Sequence, residues 1–466
     1  MQYLRALLIG ALLCWVPSTA VAQKKPESVD CHRDLREAVE LINDMWSFKL
    51  FKPGYVDLEA VYRELTPEAR RAREPEACAD LLARFMARLG DGHSRLHNFP
   101  GVERTAPYIA VRSQREELSQ VPGERPPVHA YVFARDTTDS LLQVIAPGSE
   151  ILTLDGATVD SLYRYMELRV AGSTDQWRDY ICDRQLLMGL PETETELVYR
   201  EPGGARKTLT LLRPPSDSDR EEDLDPELKV HLGMGELSRW ERLDGGWGYI
   251  RYTSFAEGGL ENAVLTFYAM LDSLLDAPGL ILDLRGNGGG YVNAITAIAG
   301  RFITEKQTMG FVNYRDPGQD VVYQIIDEMS GGWTDKRRLL AMPRGEPYTG
   351  PVVILIDSGC FSACEGFTGG LQSFDRALVI GPGASGGGSG FVGGLKLPSD
   401  AVISFSYSVA WLPNMQQIEG HGVRPNIRVR ERPRDWAVGR DRVLERAIRA
   451  LERGEAKPLA EARQGG

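Results

Sequence analysis

Ser362 has the surroundings of a residue that could do chemistry. It follows an apolar run, "VVILID", and a small-residue turn, "SGCF", and it opens a helical stretch, "SACEGFTGGL". A serine placed so can simply cap the helix, with Glu365 three residues on completing a capping box. It can also expose a nucleophilic hydroxyl, with the Ala363 N–H behind it as an oxyanion donor. A second stretch, "LILDLR-GNGGG-YVNAITAI", repeats the strand–turn–helix form. Its free N–H groups, that of Gly289 first among them, suit an oxyanion hole. Dinucleotide binding fits less well, because Tyr291 stands where the third glycine of G-x-G-x-x-G belongs, and no G-K-[ST] occurs anywhere.

A serine hydroxyl needs a base, and bases are scarce. The chain has six histidines, and the only lysines after residue 360 are Lys396 and Lys457. His93, in "LGDGHSRLH", sits on a glycine-punctuated loop and is the best-placed histidine; the plainer alternative is a packed or solvated loop residue. An imidazole titrating near 6.5 can accept the serine proton at neutral pH and return it to a leaving amine. His93 and His97 stand four apart, but "HSRLH" lacks the glutamate of H-E-x-x-H and a third ligand. Cys360 and Cys364 lack a second cysteine pair and read as helix packing. No metal and no cofactor is expected. The run "GPGASGGGSGFVGG" (381–394) has eight glycines and no lysine or hydroxyl pattern for phosphate. It reads as a flexible wall of a substrate cleft.

Several elements must position these groups. Residues 1–22 read as a signal peptide, with Arg5, an apolar "ALLIGALLCWV" and Ala20-Val21-Ala22 before Gln23, so export to a periplasmic or extracellular space is expected. Residues 23–104 carry helical apolar spacing, as in "DLREAVELINDMWSFKLF", and form a helical domain that presents His93. Residues 105–213 alternate as short strands. Within them "APGSEILTLDGATVDSLYRYM" resembles the "GD-x-I-x-x-(I/V)-(N/D)-G" stretch of PDZ domains, with Ser149 where Asp is usual. Residues 214–239 begin with a proline-bounded acidic stretch, a solvated linker. From 240 to 453 buried strands alternate with helices, which argues for an α/β core around a largely parallel sheet; 454–466 is a tail. A net charge of −11 gives no footprint for nucleic acid, and no later segment is apolar enough for a transmembrane anchor. The chain has six cysteines, five of them after the leader. Cys31 and Cys78 flank one helical region and are the pair placed for a bridge, with buried free thiols as the alternative.

The ordered pieces "GYIRYTSF", "GLILDLRGNGGGYV", "VVILIDSGCFSACEGFTGGLQSFDRALVIG", "IEGHGVRPNI" and "GRDRVLERAI" resemble the C-terminal-processing (tail-specific) serine proteases and their tricorn-core relatives. The resemblance implies a multi-domain α/β fold: an N-terminal helical domain, a PDZ-like β-rich domain, and a catalytic core of the ClpP/crotonase-like type. It implies Ser362 as nucleophile, matching the serine of the family's S-A-S-A-S-E run, with Ala363 and Gly289 as oxyanion donors. The processing branch places a lysine 25 positions after the serine, and that count reaches Gly387 here. The tricorn-like branch uses an N-terminal histidine and a late glutamate instead, which His93 and Glu419 resemble. Where some members have a relay serine, this chain has Gly92, leaving Asp91 or a water to orient the imidazole. The implied partner is a peptide or protein substrate; the oligomeric state is left open. Two other readings stand beside this one: a peptide-binding homologue without turnover, and an esterase with the same triad.

Overall fold

The computed structural model describes residues 29–48, 56–116, 125–314, 325–327, 332–334, 337–390 and 392–461. Residues 1–22, expected as a signal peptide, lie outside them, and so does Cys14. Helices α1 (Cys31–Met45), α2 (Leu58–Ala69) and α3 (Pro75–Ala87) come first. Asp30 and Asp57 cap the first two by accepting from Arg33 and Ala60 N–H groups, as their short carboxylates are suited to do. Each helix is apolar on one face, and three such faces do not close a core by themselves. The remainder comes from far along the chain: Leu397, Ala401, Ile403, Phe405 and Val409 join Leu35, Ile42, Leu82 and Phe85 in one cluster. Strand β1 (Arg95–Asn98), which follows α3, pairs antiparallel with residues 402–404. The helical region therefore shares its core with the region expected to be catalytic.

The next unit is a sheet in the order β2 (Ile109–Arg115), β3 (Val128–Arg135), β4 (Glu150–Leu154), β5 (Glu194–Arg200), β6 (Arg206–Leu212). Helices α4 (Val159–Glu167) and α5 (Asp175–Gln185) accompany it, capped by Thr158 and Thr174. The Asp155-Gly156 turn has both residues at positive φ, 49° and 79°, a conformation the pair is suited to. The acidic segment after it is not a free linker. Leu224 and Leu228 are buried in this unit's core, and Asp225 caps α6 (Pro226–Leu232). The physical reason is that two leucines spaced four apart among acids still have apolar area to bury.

The third unit is the α/β core. Its strands are β7 (Ser238–Arg242), β8 (Gly248–Tyr252), β9 (Leu280–Asp283), β12 (Val352–Leu355), β13 (Leu378–Gly381) and β17 (Ile427–Arg428), in that spatial order. All neighbours are parallel except β7 with β8. Alternate residues cover opposite faces. Leu280 and Leu282 pack with α7 (Leu260–Asp272), α8 (Val292–Ala299) and α9 (Ala363–Ser373). Ile281 packs with α10 (Arg442–Glu452). Strands β10 (Gln307–Tyr314), β11 (Arg337–Ala341), β14 (Val392–Lys396), β15 (Val402–Ser406) and β16 (Ser408–Trp411) build two small antiparallel sheets beside it.

The glycine run between β13 and β15 is not the flexible wall that composition suggests. Residues 385–389 are buried, and each of their backbone N–H groups has a fixed partner. The Gly387 and Gly388 N–H groups donate to the Glu365 carboxylate at 2.7 and 3.0 Å, and the Ser385 hydroxyl donates to it at 2.5 Å. On the other side Ser173, Thr174 and Gln176 donate to the carbonyls of Gly387, Gly386 and Ser385. Gly387 has φ 78°, and a Cβ at Gly388 would lie 1.9 Å from Phe361 Cζ. Glycine is used here for close approach, with its freedom removed by these neighbours.

Two disulfides are present, Cys31–Cys78 and Cys360–Cys364, while Cys182 is buried and free. The second corrects the expectation that Cys360 and Cys364 only pack a helix: with Cα atoms 5.5 Å apart, four positions apart is within bridging distance. Loop-closure entropy ranks the two at about 4 and about 2 kcal/mol. Cys31→Ser with Cys78→Ser is expected to lose about 4 kcal/mol in urea unfolding. Gly388→Ala is expected to lose about 1–3 kcal/mol by overpacking against Phe361. Gly393→Ala, whose Cβ meets nothing within 4 Å, stays within about 0.5 kcal/mol of wild type in the same measurement.

Candidate active site

Two turns at the carboxyl ends of parallel strands meet at this site, as the strand–turn–helix reading anticipates. Asp357 joins them: its carboxylate accepts from Gly359 N at 3.0 Å and from Gly286 N at 2.8 Å. Asn287 joins them again, since its carbonyl accepts from Phe361 N at 3.0 Å while its side chain donates to the Tyr252 carbonyl at 2.9 Å. Asp283, which begins the first turn, is fully buried between Arg251 and Arg285. Those two guanidiniums hold its carboxyl well below the usual carboxylate range, although burial alone would raise it.

Ser362 stands at the tip of the second turn with φ 56° and ψ −120°. An ordinary N-cap has extended, negative-φ backbone. The left-handed value costs a non-glycine residue on the order of 1–3 kcal/mol and lifts the side chain out of line with the helix. Ser362 does form a capping box with Glu365, which accepts the Ser362 N–H at 2.9 Å. The capping role and the strained presentation therefore coexist. The Ala363 N–H has no hydrogen-bond partner among the described residues. Gly289 lies directly against it: a Cβ there would be 2.9 Å from Ala363 N and from Ser362 Cβ. The Gly289 N–H itself, however, donates to Asn287 Oδ1 at 2.9 Å. Of the two expected oxyanion donors, one is free and one is engaged, because the Asn287 amide sits inside the same tight turn.

His93 is 4% exposed, and its ring is 4.7 Å from that of Phe361, the residue before Ser362. Its Nδ1 is buried without a hydrogen-bond partner, and no hydrogen bond joins it to Ser362. Burial lowers the imidazole to about 4; Asp91 opposes that shift and Arg95 adds to it. Asp91 does not orient the ring. One oxygen accepts from the His93 backbone N–H at 2.9 Å and lies 3.0 Å from the Ser406 hydroxyl. The other accepts from Trp46 Nε1, Ser94 Oγ and Ser406 N. With five donors on its two oxygens, Asp91 fixes the loop and leaves the imidazole to packing. His97 is on strand β1, not on a helix, and lies 2.8 Å from Ser404 Oγ. Among the described residues no three metal-ligating side chains stand together.

Glu419 is 1% exposed and accepts from Ser389 N at 3.0 Å, within the glycine run. The Ser406 hydroxyl lies 3.3 Å from the Ser389 carbonyl, so a chain of contacts runs from Glu419 through Ser389 and Ser406 to Asp91 and the His93 loop. Glu365, fully buried, has its carboxyl pushed up to about 8 by burial, against the pull of its four hydrogen bonds. Lys396 is on β14, largely exposed and 3.7 Å from Asp400. Two residues were not anticipated. The Phe361 ring stacks on Trp177 at 3.7 Å and 9°, and Trp177 comes from α5, beside the β2–β6 sheet. No sequence signal marked that pair, whereas Asn287 lay in plain view inside "GNGGG".

Residues 246–429 match the family model described as Peptidase family S41. A putative tricorn protease homolog 2 of Streptomyces coelicolor is 25% identical over 93% of this chain and 33% of its own length. A carboxy-terminal-processing protease of Bartonella bacilliformis is 27% identical over 53% of this chain and 52% of its own. The chain thus spans between a third and about half of these curated relatives. Mature CPAF complexed with lactacystin superposes with a TM-score of 0.70 at 17% identity, covering 91% of this chain and 99% of that one. At that identity the likeness is one of fold, a mixed α/β, multi-sheet architecture. Through residues 246–429, this chain is similar to peptidase family S41.

Proposed function

We propose that the chain hydrolyses peptide bonds in exported peptides or proteins through an acyl-enzyme on Ser362, with His93 as general base and Glu419 in support. The observation that carries this reading is the left-handed Ser362 backbone at the start of α9, beside the free Ala363 N–H. A cap alone has no need of that strain. The base comes from the N-terminal loop because position 387, where a lysine would be sought, is a buried glycine pressed against Thr174 and Gly422. In the reaction, the Ser362 hydroxyl gives its proton to His93 as Oγ bonds to the substrate carbonyl carbon. The Ala363 N–H, joined by the Gly289 N–H on release from Asn287, takes the oxyanion. His93 returns the proton to the leaving amine, and water repeats the cycle on the ester. The hydrogen bond between Ser362 and His93 forms in the substrate complex, as apo catalytic contacts commonly tighten on binding. Each oxyanion donor contributes about 3 kcal/mol to the barrier reduction.

Ser362→Ala is expected to abolish labelling by a fluorophosphonate probe and to lower casein hydrolysis by roughly 10⁴-fold or more. An unlabelled wild type would overturn the enzyme readings and leave a peptide-binding protein. Ester cleavage without casein cleavage would favour an esterase. A second expectation concerns pH. His93 binds its proton near 6.5 when unfolded and at about 4 when folded. The unfolded chain therefore binds more protons between those values, and the stability this residue contributes is full above 6.5 and lost as pH falls toward 4. The acid limb of kcat/KM is expected near 4, and His93→Gln should flatten the loss of urea stability between pH 6.5 and 4.

A further inference from the structure

The Cys360–Cys364 disulfide closes a five-residue ring around Phe361, Ser362 and Ala363. Those three are the residue whose ring touches His93, the residue with the strained backbone, and the residue with the free N–H. We propose that this disulfide is a positioning clamp for the Ser362 hydroxyl and the Ala363 N–H, holding the left-handed turn that a plain helix cap would relax. The inference rests on Ser362 being the nucleophile.

Both cysteines are fully buried, and each is already tied to the site. The Cys360 carbonyl accepts from Gly386 N at 2.9 Å, and Cys360 N donates to the Asp357 carbonyl at 3.1 Å. Cys364 is the second residue of α9, which packs against the main core. The bridge thus links the fixed end of a strand turn to the fixed start of a helix across one strained residue. Hydrogen bonds hold Phe361 N and Ser362 N, and the Ser362 carbonyl accepts from Glu365 N at 2.9 Å and Gly366 N at 3.2 Å, while the Ala363 N–H of that same peptide has no partner among the described residues. Relaxing Ser362 to negative φ would rotate that peptide, and the covalent ring opposes the rotation. A ring this short removes little freedom from the unfolded chain compared with the Cys31–Cys78 loop, so its effect is local.

The test uses the full chain and four readouts: fluorophosphonate labelling rate, kcat, KM on a casein-derived peptide, and urea midpoint. For Cys360→Ser with Cys364→Ser, kcat and labelling rate are expected to fall together by ten- to a hundredfold. KM should stay within twofold, and the midpoint should shift less than for Cys31→Ser with Cys78→Ser, which keeps wild-type kcat. Should the serine pair not fold, Cys360→Ala with Cys364→Val, which keeps the site apolar, is measured in the same way. Wild-type kcat and labelling in either folded variant would overturn the clamp. Failure of both to fold would overturn it too, making the bridge a folding element. An unlabelled wild type would instead strike the peptidase reading itself, and the clamp with it.

Discussion

One buried carboxylate organises this site. Glu365 accepts from Ser362 N, Gly387 N, Gly388 N and the Ser385 hydroxyl, and all four donors come from backbone or from side chains with no other means of reaching it. A carboxyl this deep costs several kcal/mol unless its lone pairs are filled. That requirement dictates the path of the chain after β13: it must turn back across the start of α9 with consecutive N–H groups facing inward. Consecutive inward N–H groups need left-handed backbone, which Gly387 supplies. The glycine run is therefore the complement of Glu365, and Glu365 in turn fixes the peptide that precedes the strained serine.

A second constraint is the Phe361 ring. It lies between Trp177 and His93, with Gly92, Gly386 and Gly388 each so close that a Cβ would be within 2.7 Å of it. Aromatic stacking at 3.7 Å joins α5 of the second unit to the residue beside Ser362. The same ring lies 4.7 Å from the imidazole, whose burial lowers its proton affinity. One side chain thus packs between the Ser362 turn and the proposed base.

What the sequence made legible follows from how local each signal was. The strands "LILD" and "VVIL" and the helices after them were readable because continuous apolar runs and helical spacing report burial directly. Ser362, Glu365 and the two turns were readable because strand–turn–helix punctuation is confined to a few residues. The glycine run misled, since composition reports freedom and not what removes it; Thr174, Phe361 and Glu365 lie elsewhere in the chain. The antiparallel strands β10, β11, β14, β15 and β16 escaped notice because their short, interrupted patterns are stabilised by partners far along the chain, as Ser404 on β15 is by Arg95 on β1. Asp91 was found but given the wrong task. Its neighbours Ser406 and Trp46 carry no motif, and only their convergence shows that the carboxylate is spent on the loop backbone.

The groups that must cooperate also belong to different cores. Ser362 and Glu365 are seated in the α/β core, whereas His93 rides on a loop whose anchors are Asp91, Ser404 and Ser406. Ser404 and Ser406 lie on β15, which completes the core of the N-terminal helices. The His93 carbonyl is held by a residue 311 positions away. Such non-local contacts form only after long loops have closed, so they come late in assembly. The Ser362 turn depends on contacts within residues 357–388 and the neighbouring "GNGGG" turn, but His93 arrives only when the helices dock on β14 and β15. A chain built this way cannot bring His93 beside the Ser362 turn until its N-terminal and C-terminal parts have met.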